Sequence, residues 1–512
     1  MLGSPAPAGH AVAAPAPAPV HTLWSEPVSR VARRLAALAA LLVPGLAWAA
    51  SEAAATFGWT ATPVGYAAVA VFVIAYALVV LEERIHLRKS KPVMFGAALI
   101  WGLIAWKAAG DPALGGEAAR AAFEHVFLEF AELFFFLVVA MSYVSAMSER
   151  NIFEALRAEL VCRGFSFRQL FWLTGVIAFF MSAVLDNLTT ALIMSAVILA
   201  VGAGNVRFVT LAFINLVVAA NAGGAWSAFG DITTLMVWQA HEVEFFEFFR
   251  IFVPSALNFL VPAACMHFAV PDEKPPQGRD DADILHGGIM ICVLFALTIA
   301  ITVAGKQFLG MPPVFGMMAG LGLLQLYAFW IAHHERRHEA ALLFGGGAAK
   351  SPSNREQSNG GYSIFRIIAN AEWDTLLFFY GVLLCVGGLA TIGYMELAST
   401  HLYGGLGHTW ANVVMGTLSA IVDNIPIMFA VLQMDPPMDH GQWLLITLTC
   451  GVGGSMLSVG SAAGVALMGV SRGKYTFFSH LRWTWAVALG YVASIATHLW
   501  WNAAYFTNGV WH

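Results

Sequence analysis

Two segments place an Asp-Asn pair inside an apolar run: SAVLDNLTTALIMSAV, from Ser182, and SAIVDNIPIMFAVLQM, from Ser419. Asp186-Asn187 and Asp423-Asn424 stand at matching places in them. An ionised carboxylate within a membrane costs on the order of 3 kcal/mol or more unless paired, wetted or protonated, so intramembrane acids are functional candidates by default. Their chemistry is that of a site for two ions. Hard cations take carboxylate, amide and hydroxyl oxygens, a rule for calcium and magnesium that extends to sodium. A low dielectric also favours the neutral carboxyl, so a proton can compete with the cation for the same oxygen.

Each pair is followed by a glycine-marked stretch. NAGGAWSAFGDITTLMVW carries Gly223-Gly224 and Gly230-Asp231, and GVGGSMLSVGSAAGVALMG carries Gly453-Gly454 and Gly460-Ser461. Both read GG, five residues, G, then a polar residue. Glycine costs about 1 kcal/mol in a helix interior and tolerates unusual backbone angles, so these glycines are expected to unwind a helix and turn freed carbonyls toward a cation. Close helix packing through small residues is the competing use. Asp186 and Asp423 are the expected main sites of sodium binding and protonation, meeting in a common hollow, with Asp231 as a third acid. Asn187, Asn424, Thr189, Thr190, Thr233, Ser455, Ser458 and Ser461 are the neutral oxygen candidates. Bonding of each hydroxyl back to its own helix competes with that role.

The elements that must position these residues follow from composition. The 512 residues are 59% hydrophobic and 11% charged, against about 25% charged in soluble domains, and the mean hydropathy is +0.71. Apolar windows of roughly 20 residues recur along the chain, so an all-α polytopic membrane protein is expected. Of the 26 lysines and arginines, three precede residue 35. Following the apolar runs puts 19 of the others inside and 4 outside, provided that two segments do not cross. Those are residues 170–202, entering and leaving on the cytoplasmic side, and 409–434, doing so on the outer side. Each is expected to be a re-entrant helical hairpin with its Asp-Asn pair at the tip, which requires a protein-lined cavity there. With the glycine stretches as broken helices at 208–240 and 441–470, the halves 60–270 and 284–505 form an inverted-topology repeat. The single spans leading to the hairpins, AELFFFLVVAM from Ala131 and EWDTLLFFYG from Glu372, extend the parallel.

The Pro/Ala-rich leader at 1–50 ends in Arg33-Arg34, a short apolar core and small residues at Ala47 and Ala49, the pattern of a signal peptide. Residues 335–365, rich in Gly, Ser and Asn, are expected to form a disordered cytoplasmic linker.

The runs SAVLDNLTTALIM, NAGGAWSAFGDITTLMVW, SAIVDNIPIM and GVGGSMLSVGSAAGVALMG, with EERIHLRKSKP and EWDTLLFF, resemble NhaD-type sodium/proton antiporters of the ion transporter superfamily over about residues 60–505. The resemblance implies extrusion of sodium and lithium in exchange for protons across a bacterial inner membrane. It also implies a homodimer in which a transport domain moves like an elevator against a static scaffold, and no cofactor. By motif position it assigns the ion site to Asp186, Asn187, Asp231, Asp423, Asn424 and the Ser455–Ser461 loop.

Other classes find less support. The five cysteines have no paired spacing, and no basic cluster is interleaved with aromatics for nucleic acid. No HExxH, GxSxG or Walker-type motif nominates an enzyme. An anion carrier of the same superfamily, for dicarboxylates or arsenite, is the alternative. A dianion about 4 Å from a carboxylate meets a cost on the order of 4 kcal/mol per charge pair at an effective dielectric of 20.

Overall fold

A computed structural model describes residues 56–85, 87–111, 115–202, 204–274, 282–344, 372–507 and 509. The leader at 1–50 and most of the expected linker lie outside the described residues. Those described are all-helical, without strands. The chain opens with α1 (Pro63–Val80) and α2 (Ser90–Ala109). There follow α3 (Gly115–Glu149), α4 (Ile152–Cys162), α5 (Phe167–Met181), α6 (Asn187–Gly202), α7 (Val206–Ala225), α8 (Ile232–Gln239) and α9 (Phe252–His267). After α10 (Gly288–Leu309) and α11 (Pro313–Phe344) come α12 (Trp373–Ile392), α13 (Tyr394–Leu406), α14 (His408–Leu418), α15 (Asn424–Met434), α16 (His440–Gly453) and α17 (Ala462–Val470). The chain closes with α18 (Phe477–Leu481) and α19 (Thr484–Trp501).

Among the described residues, seven helical segments are long and apolar enough to cross a membrane, which makes this a multi-pass membrane protein. Their burial separates centre from rim. The apolar windows of α7 and α12 are 94% and 83% buried, against 39% for α10 and α11, so the first two form the core. α12 packs on α2 and α3, α7 on α5 and α6, and α10 pairs with α11 at the periphery.

One order of elements occurs twice: a long helix, a short helix, then two interrupted pairs, in α3–α8 and again in α12–α17. α5 packs against α7, and α14 against α16. The short helices α4 and α13 were not expected from hydropathy. They are too polar and too brief to stand out, as Glu154, Arg157 and Glu159 in α4 illustrate. α11 continues to Phe344, ten residues into the segment 335–365 that was read as linker.

The helices break between the marked glycines, α7 ending at Ala225 with α8 starting at Ile232, and α16 ending at Gly453 with α17 starting at Ala462. None of Gly223, Gly224, Gly230, Gly453, Gly454 and Gly460 has a positive φ, and Gly223 and Gly224 lie inside α7. Their use is close backbone approach. A Cβ on Gly223 would stand 2.1 Å from the Phe179 carbonyl oxygen, and one on Gly453 would stand 1.9 Å from that of Gly416. Gly230 abuts the Ser182 carbonyl and Gly460 those of Ser419 and Ala420, each with a Cβ contact of 2.5–2.7 Å. The interrupted pairs interlock at their breaks through atoms that only glycine leaves room for.

Gly453→Ala is expected to lower the unfolding temperature of the purified protein markedly, because overpacking against fixed backbone costs about 1–3 kcal/mol. Gly469→Ala, in α17 with open space at its Cβ position, is the control expected to leave it unchanged. Equal behaviour of the two variants in a thermal melt would contradict the close-approach role.

Candidate functional site

Four helix N-termini meet where the interrupted pairs converge, and a polar side chain caps each. Asp186 caps α6, its carboxylate accepting from the Thr189 amide at 2.9 Å and the Thr189 hydroxyl at 2.6 Å. Asp423 accepts from the Ile425 amide at 3.5 Å at the start of α15. Asp231 accepts from the Thr233 amide at 3.3 Å, and Ser461 from the Gly464 amide at 3.3 Å. Such caps satisfy amides that the first helical turn leaves unpaired.

Asp231 differs from the other caps in what its second oxygen does. Oδ2 accepts from Asn187 Nδ2 at 2.7 Å and from Asn424 Nδ2 at 2.9 Å. One buried carboxylate therefore joins the two Asp-Asn segments, 237 positions apart in chain numbering by their aspartates. The donors are themselves oriented. Ser182 donates to Asn187 Oδ1 at 2.7 Å, and Gly224 leaves the space that this amide occupies, since a Cβ there would lie 2.3 Å from the same oxygen.

Beside Asp231 is a cavity of about 70 Å³, whose polar lining is Asp186, Asn187, Asn221, Asp231, Asn424 and Ser461, with Thr375 at its edge. It has room for a few waters or a partly dehydrated ion. A second cavity, of about 300 Å³, is lined by Asp423, Glu82, Lys89 and Tyr76. Leu188, Ser461 and Ala462 line both and form the wall between them.

The structure thus departs from the expected pairing of Asp186 with Asp423 around one sodium ion. Asp186 lines the first cavity and Asp423 the second, while Asp231, ranked third from sequence, stands between the two asparagines. The cause is local: a capping carboxylate folds back on its own helix, and the next residue, asparagine, projects inward. Among the described residues no three His, Cys, Asp or Glu side chains cluster as a metal site.

The neutral oxygens divide. Thr189 is engaged with Asp186, and Ser455 Oγ accepts from Asn221 Nδ2 at 3.0 Å. The buried hydroxyls of Thr190 and Thr233 and the Asn221 Oδ1 have no hydrogen-bond partner among the described residues. Of these three residues only Asn221 lines the first cavity. Ser458 is buried near the break of the second interrupted pair and lines neither cavity. Two freed carbonyls expected to face a cation are used otherwise. Ser455 O pairs with His480 Nε2 at 2.9 Å, and Met456 O accepts from the Thr484 hydroxyl at 2.9 Å. Sequence reading missed Asn221, Ser182 and His480. The first two had a signal in their positions, two residues before a GG and four residues before an Asp-Asn pair, whereas His480 had none.

A family model described as "Citrate transporter" matches residues 22–451. The chain is 50% identical over 475 residues to "Na(+)/H(+) antiporter NhaD" of Alkalimonas amylolytica, covering 92% of this chain and 97% of the relative. It is 51% identical to the protein of that name from Vibrio cholerae, covering 93% and 99%. The chain belongs to the NhaD antiporter family. A more distant relative, "Sodium/proton antiporter 1" of Arabidopsis thaliana, is 30% identical over 93% of this chain and 78% of the relative.

Asn187→Ala and Asn424→Ala each remove one donor from the buried Asp231 oxygen and are expected to cost about 1–3 kcal/mol of stability. Because both serve one acceptor, the double variant is expected to lose more than the two singles together, by roughly 0.5 kcal/mol or more. A cycle of thermal melts on the four proteins measures this, and strict additivity would contradict the shared oxygen.

Proposed function

We propose that this protein is a sodium/proton antiporter that exports sodium in exchange for protons, and that Asp231 is the carboxylate the two ions share. The observation that carries this reading is the Asp231 Oδ2 held at once by Asn187 and Asn424 beside a small polar cavity. The relatives named as Na(+)/H(+) antiporters support the substrate class. Ionised Asp231, the unpartnered Asn221 Oδ1 and Ser461 Oγ offer oxygens to a cation, and Asp186 adds a second carboxylate to the same cavity. A proton on Asp231 cancels the charge that holds the cation. The oxygens therefore serve one ion at a time, and occupancy by either couples inward proton flow to outward sodium flow. Lithium, with the same charge and preference for oxygen, is accepted by the same set.

The architecture that fits this exchange is an inverted-topology repeat. α5–α6 enters from the cytoplasmic side and α14–α15 from the outer side as re-entrant hairpins, and α7–α8 and α16–α17 are the broken helices. The recurrence of element order and the matched glycine contacts support it. The hairpins and broken helices move together as an elevator against a scaffold, in a homodimer in the bacterial inner membrane.

The anion reading is disfavoured by size and charge. The cavity of about 70 Å³ is small beside the roughly 300–1,000 Å³ of sites for organic ligands. Its two carboxylates would also repel a dicarboxylate.

Asp231→Asn is expected to abolish sodium-dependent collapse of a pH gradient in everted vesicles at matched protein abundance. A lost charge about 4 Å from a cation is worth on the order of 4 kcal/mol, roughly three decades in affinity. Asp186→Asn is expected to raise the half-saturating sodium concentration while leaving exchange measurable. Unchanged affinity and rate in the Asp231→Asn protein would falsify the assignment.

A further inference from the structure

Away from the Asp231 site, a cavity of about 500 Å³ opens between the first turn of α7 and the α18–α19 junction. Its polar lining is Arg207, Thr210, Ser479 and Arg482, with Trp483 on one wall, and it contains no carboxylate. The hydroxyls are already spent: Thr210 donates to the Val206 and Lys474 carbonyls, both at 2.8 Å, and Ser479 to the Thr476 carbonyl at 2.7 Å. The nearby acid Asp272 is taken by Arg168 at 3.0 Å. Among the described residues, neither Arg207 nor Arg482 has an ion pair or hydrogen bond to its side chain. Two guanidiniums thus line one recess whose lining holds no carboxylate to answer them, and their planar forks match the oxygens of a phosphate.

The surroundings identify the source of that phosphate. Phe478 on α18 and Trp485 on α19, 78% and 60% exposed, are one and two positions in sequence from the lining residues Ser479 and Trp483. Bare aromatic side chains of this kind at the ends of apolar helices belong at a membrane interface. Arg207 and Arg482 also fall on the side that the distribution of positive charge assigns to the cytoplasm. An anionic headgroup in the recess, with its acyl chains along Phe478 and Trp485, answers both the charge and the apolar surface. We propose that this cavity binds the phosphate of an anionic phospholipid. Arg207 opens the first interrupted pair of the glycine-marked helices, and α18 follows directly on the second, so the lipid ties the ends of both together.

Native mass spectrometry of the purified full-length protein, with thermal melts, tests this using phosphatidylglycerol, phosphatidylcholine and inorganic phosphate as probes. Phosphatidylglycerol is expected to be retained and to raise the unfolding temperature, and phosphatidylcholine to do neither. A cation near an anionic headgroup contributes about a fivefold factor in affinity, so R207Q and R482Q are each expected to weaken phosphatidylglycerol binding about fivefold and the double variant about 25-fold. Sodium/proton exchange retained by these variants certifies their folding, and R482Q alone serves if the double variant fails to fold. Equal retention of both lipids, or undiminished phosphatidylglycerol binding by R482Q, overturns the proposal. Stabilisation by inorganic phosphate but not by phosphatidylglycerol overturns the lipid source.

Discussion

A carboxylate buried among apolar helices has to be given donors, and the arrangement around Asp231 is organised by that need. Three donors reach it, the Asn187 and Asn424 amides and the Thr233 backbone N–H, and they come from three separate helix starts. The interior of a continuous transmembrane helix could not supply the Thr233 N–H, because its backbone amides are spent within the helix. Each helix start frees N-terminal amides that a capping side chain satisfies, and at α6 and α15 the residue after the cap, Asn187 or Asn424, reaches Asp231. The glycine contacts follow from the same requirement. Asn187 reaches Asp231 because Gly224 vacates the space for it, and the paired breaks close up because Gly230 and Gly460 admit backbone oxygens.

The two halves supply the same scaffold and unlike chemistry. Asp231 and Ser461 occupy corresponding caps, each directly after a glycine that abuts the opposite break. A second carboxylate in place of Ser461 would put like charges near each other in a closed space, at a cost on the order of 4 kcal/mol at about 4 Å and an effective dielectric of 20. Serine at that cap keeps the helix start satisfied and leaves a single acid between the asparagines. The asymmetry makes Asp231 singular, although the Asp-Asn pairs are the more conspicuous repeat.

Much of this was legible in the sequence, because hydropathy runs and glycine spacing report on the backbone. The breaks at 182–186 and 419–423 fall at the Asp-Asn pairs, and the helices flanking them end within a few residues of the boundaries read from apolar runs. Side-chain direction was not legible. Asp186 and Asn187 differ by one position, yet one folds back onto Thr189 and the other points at Asp231, a distinction set by capping geometry. The glycines marked the breaks, but their close backbone contacts were not separable from backbone freedom, since both leave the same letter in the chain. His480 could not be found at all: its role with the Ser455 carbonyl depends on a chain reversal after α17 that no periodicity records.

The thin wall between the two cavities gives Ser461 a place in the exchange reading. Asp231 and Asp423 lie on opposite sides of it, and Ser461, Ala462 and Leu188 are all that line both spaces. In the proposed exchange the Ser461 hydroxyl stands between two carboxylates, in a wall otherwise made by Leu188 and Ala462. Ser461 caps the first turn of α17 there, accepting from the Gly464 amide at 3.3 Å. One residue thus both satisfies a helix start and forms part of the partition between the two cavities.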